Sequence, residues 1–545
     1  MKAKNSLYIL VISLALVAFA VPADKYFDIA KNLDIFATLF REVNANYVDE
    51  IDPAQLIQTG IQSMLESLDP YTDYIPEEDL EAFSILTTGQ YAGIGALISY
   101  IHEKCIITHP YENFAAFRSG LRVGDEIIGV NGKNVKGKPT SEVSALLKGA
   151  PKSEVTVTID RLGSNHTFKL IREKIKISNV SYQAIIEEGV GLIKLDEFTP
   201  DASKEVEAAL VSLKQKGATK IIFDLRDNPG GLLYEAVNIV NLFIPKGLEV
   251  VATKGKIKDG NRSYTTLNPP VDLVIPLIVL TNGGSASASE IVAGALQDYD
   301  RAVLLGQKTF GKGLVQTTRS LSYNTQLKVT TAKYYIPSGR CIQALDYTHR
   351  RADGSVEKIA DSLRSAFKTK SGRTVYDGSG IDPDLAIARE PYGSAVLELA
   401  QSGLIFDYAT QYCHEHPDPG DMRKFRLSDQ EYKKFEGWLS GKDFVYSTDL
   451  EKQVDDLVAE AKRARNYDDL HASLQTVKDK IALNHSGYLT RFRDEIQPIL
   501  EAEIGFHAFL NKGRIEVSLD HDKELQEAKR LFMDFSAYQK LLMPH

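Results

Sequence analysis

The run Pro276-Leu277-Ile278-Val279-Leu280-Thr281-Asn282-Gly283-Gly284-Ser285-Ala286-Ser287-Ala288-Ser289-Glu290-Ile291 begins as an apolar strand, passes through a tight glycine-rich turn and opens a helix at or near Ser287. A serine on such an elbow is exposed, and it lies where backbone N–H groups have no intrahelical partner. A lysine that folding brings beside it could act as its base, making a Ser-Lys hydrolase. The competing reading is structural: Ser287 with Glu290 fits a capping box, S-x-x-E, ahead of the apolar helix Ile291 to Leu296. Spacing alone leaves both readings open.

Downstream, Gly306-Gln307-Lys308-Thr309-Phe310-Gly311-Lys312 has the spacing of a phosphate loop, but Gly313 stands where Ser or Thr should hold the metal. The Thr- and Val-rich residues that follow, ending in Lys333-Tyr334-Tyr335, read as strand rather than as a phosphate-capping helix. A nucleotide site is therefore disfavoured.

Four motifs occur in order: Asp224-Leu225-Arg226-Asp227-Asn228-Pro229-Gly230-Gly231-Leu232, the serine elbow, Phe310-Gly311-Lys312-Gly313 with Gln316, and Tyr334-Tyr335-Ile336-Pro337-Ser338-Gly339-Arg340. Together they resemble the C-terminal-processing, or tail-specific, serine peptidases. The resemblance implies Ser287 as nucleophile, Lys312 as general base and Gln316 as the residue orienting the lysine. It also implies an oxyanion hole from the backbone N–H groups of Gly231 and Ala288, and no cofactor or metal. The chemistry is self-consistent. Free lysine titrates near ~10.4 and is a poor base at neutral pH, but burial disfavours its charged form. Removing one oxyanion donor typically costs about 10²–10³ in rate.

The resemblance implies a multidomain α+β chain whose core, residues 176–391, is a layered α/β, crotonase-like protease fold. Strands alternating with helices in that span argue the same class. Residues 89–175 are strand-rich, with Gly120-Leu121-Arg122-Val123-Gly124-Asp125 and a helix around Ser141 to Leu147. They look like a PDZ domain, which binds an extended peptide as an added strand and captures its terminal carboxylate. Gly93-Ile94-Gly95 is the candidate carboxylate cradle; the alternative is an ordinary strand-entry turn. Here the chain departs from the family's Pro-x-x-Gly-x-Pro-Ala, reading Pro110-Tyr111-Glu112-Asn113-Phe114-Ala115-Ala116, which puts the groove's shape in doubt.

Residues 1–23 carry Lys2 and Lys4, an apolar run from Leu7 to Ala20 and small residues near Ala23, the pattern of a signal peptide or uncut anchor. Export from the cytosol is expected, and the resemblance implies a place in the periplasm or cell envelope. Residues 24–88 show helical periodicity in Ile29, Leu33, Phe36, Leu39 and again in Leu56 to Leu68, read as packing. Residues 392–545 form a charged, all-helical C-terminal domain, with no catalytic constellation.

At 545 residues, with net charge −9, the chain offers no electrostatic reason to bind nucleic acid or an anionic membrane. Cys105, Cys341 and Cys413 are too scattered for a disulfide framework or metal cluster and read as packing residues. Expected partners are protein or peptide substrates engaged by their C-termini; an adaptor or a homo-oligomer stays open, with membrane contact only through an N-terminal anchor. The alternative function is a non-catalytic, PDZ-based envelope scaffold.

Overall fold

The computed structural model describes residues 23–257, 261–351, 354–389, 391–442, 444, 449–485 and 487–544. The quoted run supplies the central strand, Leu277–Thr281, of a six-stranded sheet. Val190–Leu195, Lys220–Asp224, Leu277–Thr281, Val303–Gly306 and Leu385–Ala386 lie parallel in that order, and Val180–Glu187 pairs antiparallel at one edge. These strands read as unbroken apolar runs because both faces are covered.

Alternate residues serve different cores. Ile221, Phe223, Leu277 and Val279 face a cluster formed with helices Ala202–Gln215, Leu233–Asn241 and Ala288–Asp298. Ile222, Ile278, Leu280 and Leu305 face Leu525, Leu531, Phe532 and Tyr538 of helices Lys523–Met533 and Phe535–Leu541. The last two helices of the chain therefore cover the second face of the core sheet, a role that their amphipathic pattern alone did not assign. Tyr538 fastens this layer, its hydroxyl accepting from Leu277 N (3.0 Å) and donating to Leu277 O (3.2 Å).

Residues 90–176 form antiparallel sheet around a separate apolar core that includes Ile107, Ile127, Val143, Val157 and Leu170, with the helix Thr140–Leu147 across it. Helices Ser394–Gln401, Leu404–Glu415, Asp429–Ser440 and Arg493–Ser518 gather around Phe435, Leu500 and Ile504. Trp438 packs there against Tyr408 at 5.3 Å, as a packing residue would. The apolar pattern from Ser394 to Tyr412 reads as one helix, but the structure breaks it at Gly403, whose φ of 80° ends regular winding.

The N-terminal unit contains helices Ala23–Asn46 and Pro53–Glu66, the second capped by Asp52, which accepts from Ala54 N at 2.8 Å. The expectation that its apolar residues pack is corrected. Ile29, Leu33, Phe36 and Leu39 are each at least half exposed, since among the described residues of that unit nothing buries them. The apolar run Leu7 to Ala20 lies outside the described residues. Among the described residues no helix is long and apolar enough to cross a membrane.

The strand-rich segment and the C-terminal helices meet at Val123, Phe506, Leu510 and Phe406. Gly124 has φ 93°, and a Cβ there would lie 2.3 Å from Thr410 Cγ2, so glycine alone fits. Beside it His507 is buried, its Nε2 paired with Thr410 Oγ1 at 3.0 Å and its Nδ1 with Glu503 O at 2.9 Å. His109 packs edge-on against Phe506 with ring centroids 5.2 Å apart. Burial, reinforced by the Arg514 charge, holds both imidazoles down at about 4.

Their folded pKa lies below the unfolded value of about 6.5, so the unfolded chain binds more protons between these limits. The stability they contribute is complete above about 6.5 and lost as the pH falls toward 4. For nearly inaccessible His507, a pKa of about 4 against about 6.5 in the unfolded chain corresponds to about 3 kcal/mol. The urea midpoint is therefore expected to fall between pH 7.5 and pH 4.5, and His507→Gln, which keeps the hydrogen-bonding shape without titrating there, is expected to flatten that dependence.

Candidate active site

The elbow sequence alternates serines, and the structure assigns them different tasks. Ser285 and Ser289 are fully buried and donate to Leu225 O (2.8 Å) and Asn228 O (2.9 Å), fixing the loop that carries Gly230 and Gly231. Ser287 between them is half-buried, with φ 56° and ψ −111°. Such a conformation in a non-glycine residue stores about 1–3 kcal/mol and persists only where its surroundings over-determine it.

What over-determines it is Glu290. Its carboxylate is inaccessible to solvent. Oε2 accepts from Ser287 N at 2.8 Å and from Lys312 N at 2.9 Å. Oε1 accepts from Thr309 Oγ1 at 2.6 Å and from Gly311 N at 2.8 Å. The capping-box reading thus captures half of the matter: the N3 carboxylate does take the N-cap amide, and it also takes the loop bearing Lys312. The Ser287 and Lys312 amides are thus clamped to a single oxygen atom. Burial raises the Glu290 pKa, opposed by the Thr309 hydroxyl and the amides of Lys312, Gly311 and Ser287.

The same two residues are joined from the other side, at their carbonyls. Tyr334 Oη donates to Ser287 O at 3.1 Å and to Lys312 O at closer range. Lys312 is half-buried. Gln316, on the strand Leu314–Ser320, gives its Nε2 to Thr330 Oγ1 at 3.1 Å, leaving its carbonyl oxygen as the end suited to an ammonium. That strand follows Gly313 directly, which removes the helix a phosphate loop requires.

Tracing the amides isolates two donors. From Asp224 to Leu232, Leu225, Arg226, Asp227, Asn228, Gly230 and Leu232 each donate within the protein. From Gly284 to Glu290, every amide except that of Ala288 does so. Among the described residues, Gly231 N and Ala288 N alone in these spans have no protein acceptor. The loops touch: a Cβ on Gly230 would lie 2.8 Å from Ala288 N and 2.9 Å from Ser287 Cβ, and one on Gly231, at φ 146°, 2.5 Å from Phe198 O. Both glycines are needed for that approach.

Gly93, Ile94 and Gly95 are buried. The carbonyls of Ile94 and Gly95 accept from Ala116 N (2.8 Å) and Tyr111 N (2.9 Å), and Ile94 belongs to the segment's core. The two departures nearby prove mild. Asn113 has φ 69°, a left-handed conformation that asparagine tolerates best after glycine. Ala115 uses the N–H that proline would lack, donating to Glu173 Oε1 at 2.6 Å.

Sequence reasoning missed three contributors. Glu290 was visible only as a cap, Thr309 lay unremarked in the base loop, and Tyr334 was quoted without a role. Arg226 likewise joins Asp224 (2.7 Å) to Asp522 (2.8 Å), tying the glycine loop to helix Lys523–Met533. The cysteines stay outside: burial pushes Cys105 up to about 11 and Cys413 to about 12, and raises Cys341. Among the described residues no group of histidine, cysteine and carboxylate side chains could hold a metal ion.

Residues 189–348 match peptidase family S41, residues 106–161 a PDZ domain, and residues 396–532 the C-terminal helical domain of a probable PDZ-protease. A carboxy-terminal-processing protease of Bartonella bacilliformis is 35% identical over 342 residues, covering 62% of this chain and 78% of that protein. A probable CtpA-like serine protease of Staphylococcus aureus is 38% identical over 314 residues, covering 57% of this chain. The match spans 62% of the length of that relative. Among solved structures, a photosystem II D1 C-terminal processing protease aligns at 28% identity and TM-score 0.34, covering 65% of this chain and 92% of that one. The fold is that of a PDZ-bearing S41 protease core with a C-terminal helical domain. The chain belongs to the carboxy-terminal-processing proteases of that family.

Glu290→Gln is the sharp test of the clamp. The isosteric amide would turn an NH₂ toward two of four donors, and each unsatisfied buried group costs about 1–3 kcal/mol. Denaturant midpoint and peptide cleavage are both expected to drop, cleavage by about hundredfold or more; Glu290→Gln with wild-type cleavage would show that the clamp is dispensable.

Proposed function

We propose that this chain is a serine endopeptidase of Ser-Lys type that recognises and cleaves the C-terminal regions of proteins. One observation carries the reading: a strained Ser287 clamped through Glu290 to Lys312, beside two unspent amides at Gly231 and Ala288. Neutral Lys312 takes the Ser287 proton as Oγ attacks the scissile carbonyl. The Gly231 and Ala288 amides then meet the oxyanion, and the lysine returns the proton to the leaving amine. Gln316 orients the amine through its side-chain oxygen.

In this reading the PDZ domain holds the substrate's terminal carboxylate at Gly93-Ile94-Gly95. Domain limits of 24–88, 89–175, 176–391 and 392–545 follow, with the final helices serving the core. The basic and apolar pattern of residues 1–23 supports export to the cell envelope, cleaved or anchored. The exposed N-terminal helices are compatible with an adaptor or a second copy of the chain.

The test is peptide cleavage by wild type, Ser287→Ala and Lys312→Arg. Both variants are expected to lose activity by about 10³-fold or more, the arginine because guanidinium cannot be deprotonated. Activity of the arginine variant within about tenfold of wild type would overturn the dyad. C-terminal amidation of the peptide is expected to raise KM, since it removes a charge-assisted contact. Equal cleavage of the free acid and the amide would refute carboxylate capture.

A further inference from the structure

We propose that Tyr334 is a positioning residue for the reaction, holding the nucleophile and base segments together at their carbonyl oxygens as Glu290 holds them at their amides. The inference rests on the Ser-Lys reading above.

Tyr334 is 1% exposed, on the strand Gln326–Tyr335. Its N–H donates to Gly313 O at 3.0 Å, which sets the strand beside the base loop. Its hydroxyl then reaches Ser287 O and Lys312 O together, one proton shared between two acceptors. Ser287 O also accepts from Glu290 N (2.9 Å) and Ile291 N (3.0 Å), as an N-cap carbonyl does. At Lys312 O the hydroxyl meets the peptide plane next to the lysine Cα, whose Gly313 N–H donates to Gln343 Oε1 at 2.8 Å, and together these bonds set where the lysine side chain starts.

The neighbouring Tyr335 shows that this is specific to one residue. Alternation turns Tyr335 to the other face, where Lys254 lies over its ring at 4.5 Å. The Tyr-Tyr pair thus splits into an inward strut and an outward packing residue.

The consequence is chemical. To accept the Ser287 proton, Lys312 must be neutral, which requires that water be kept from its amine. On the Ser-Lys reading, removing the strut takes away one anchor of that peptide, admits water to the amine and favours its charged form, which would raise the pKa on which the reaction depends. The rising limb of the pH–rate profile should follow it upward. A residue that merely fills space would leave that limb in place.

The experiment compares wild type, Tyr334→Phe and Tyr334→3-fluorotyrosine in the full chain, measuring kcat, KM, pH profile, melting temperature and labelling of Ser287 by a fluorophosphonate. Tyr334→Phe is expected to lower kcat about tenfold to hundredfold, with KM within about twofold. Its rising limb should move up by about half a pH unit or more. The fluorotyrosine keeps the shape and changes hydroxyl acidity, so it decides the matter if the phenylalanine variant does not fold; it is expected to shift the limb. Wild-type kcat and limb in every variant that folds would overturn the positioning role. A wild type that neither cleaves peptide nor labels at Ser287 would overturn the Ser-Lys reading and this proposal with it. An active wild type with unchanged variants would overturn this proposal alone.

Discussion

A carboxylate cannot be carried into a protein interior without partners; the cost is several kcal/mol unless its oxygens are hydrogen-bonded. Glu290 is completely buried, and its donors come from the elbow at Ser287 and the loop at Thr309, Gly311 and Lys312. The charge can be satisfied only with those two segments in one arrangement. Moving the Thr309–Lys312 loop away would strand a buried anion, so the spacing of Ser287 and Lys312 is enforced by solvation energy rather than by loop stiffness.

The scaffold extends that constraint outward. Asn228 holds the glycine loop by donating to Leu195 O (2.8 Å) and accepting from Gly230 N (2.9 Å), while its own carbonyl receives Ala286 N (3.0 Å). Arg226 then binds this loop to Asp522. The C-terminal helices thereby act on the site twice, by covering the sheet under the elbow and by gripping the loop that carries Gly231. The residues proposed for catalysis lie in the middle of the chain, yet their setting depends on residues 522–541.

Much of this was legible in the sequence, for local reasons. An apolar run followed by glycines and S-x-x-E gives strand, turn and helix wherever it occurs, and the helix does begin at Ala288. The role of Glu290 was not legible, because the same spacing describes an ordinary cap; what distinguishes it is a contact with residues 309–312, which no local pattern encodes. The covering of the sheet by Lys523–Met533 was hidden for a similar reason, since amphipathicity states that a face is buried but not against what. The N-terminal helices gave the opposite error. Their periodicity predicted packing, yet Leu33 and Leu39 remain more than half exposed. Asn113 looked disruptive as a letter but is benign as a conformation, because the position asks for a left-handed backbone rather than for glycine as such.

A buried carboxylate so near a lysine base presents an apparent conflict. A nearby negative charge favours ammonium and raises the lysine pKa, which is the wrong direction for a residue that must act neutral. The geometry resolves this by how the charge is used. Both oxygens of Glu290 are engaged by three backbone amides and a hydroxyl, so its lone pairs are taken up by fixed donors, the Lys312 main chain among them. Donors arranged around an anion absorb much of its field, as oriented amides do at helix N-termini. In the proposed mechanism Glu290 therefore fixes where the lysine begins through its main chain, and the site obtains rigidity from a charge whose lone pairs are already engaged.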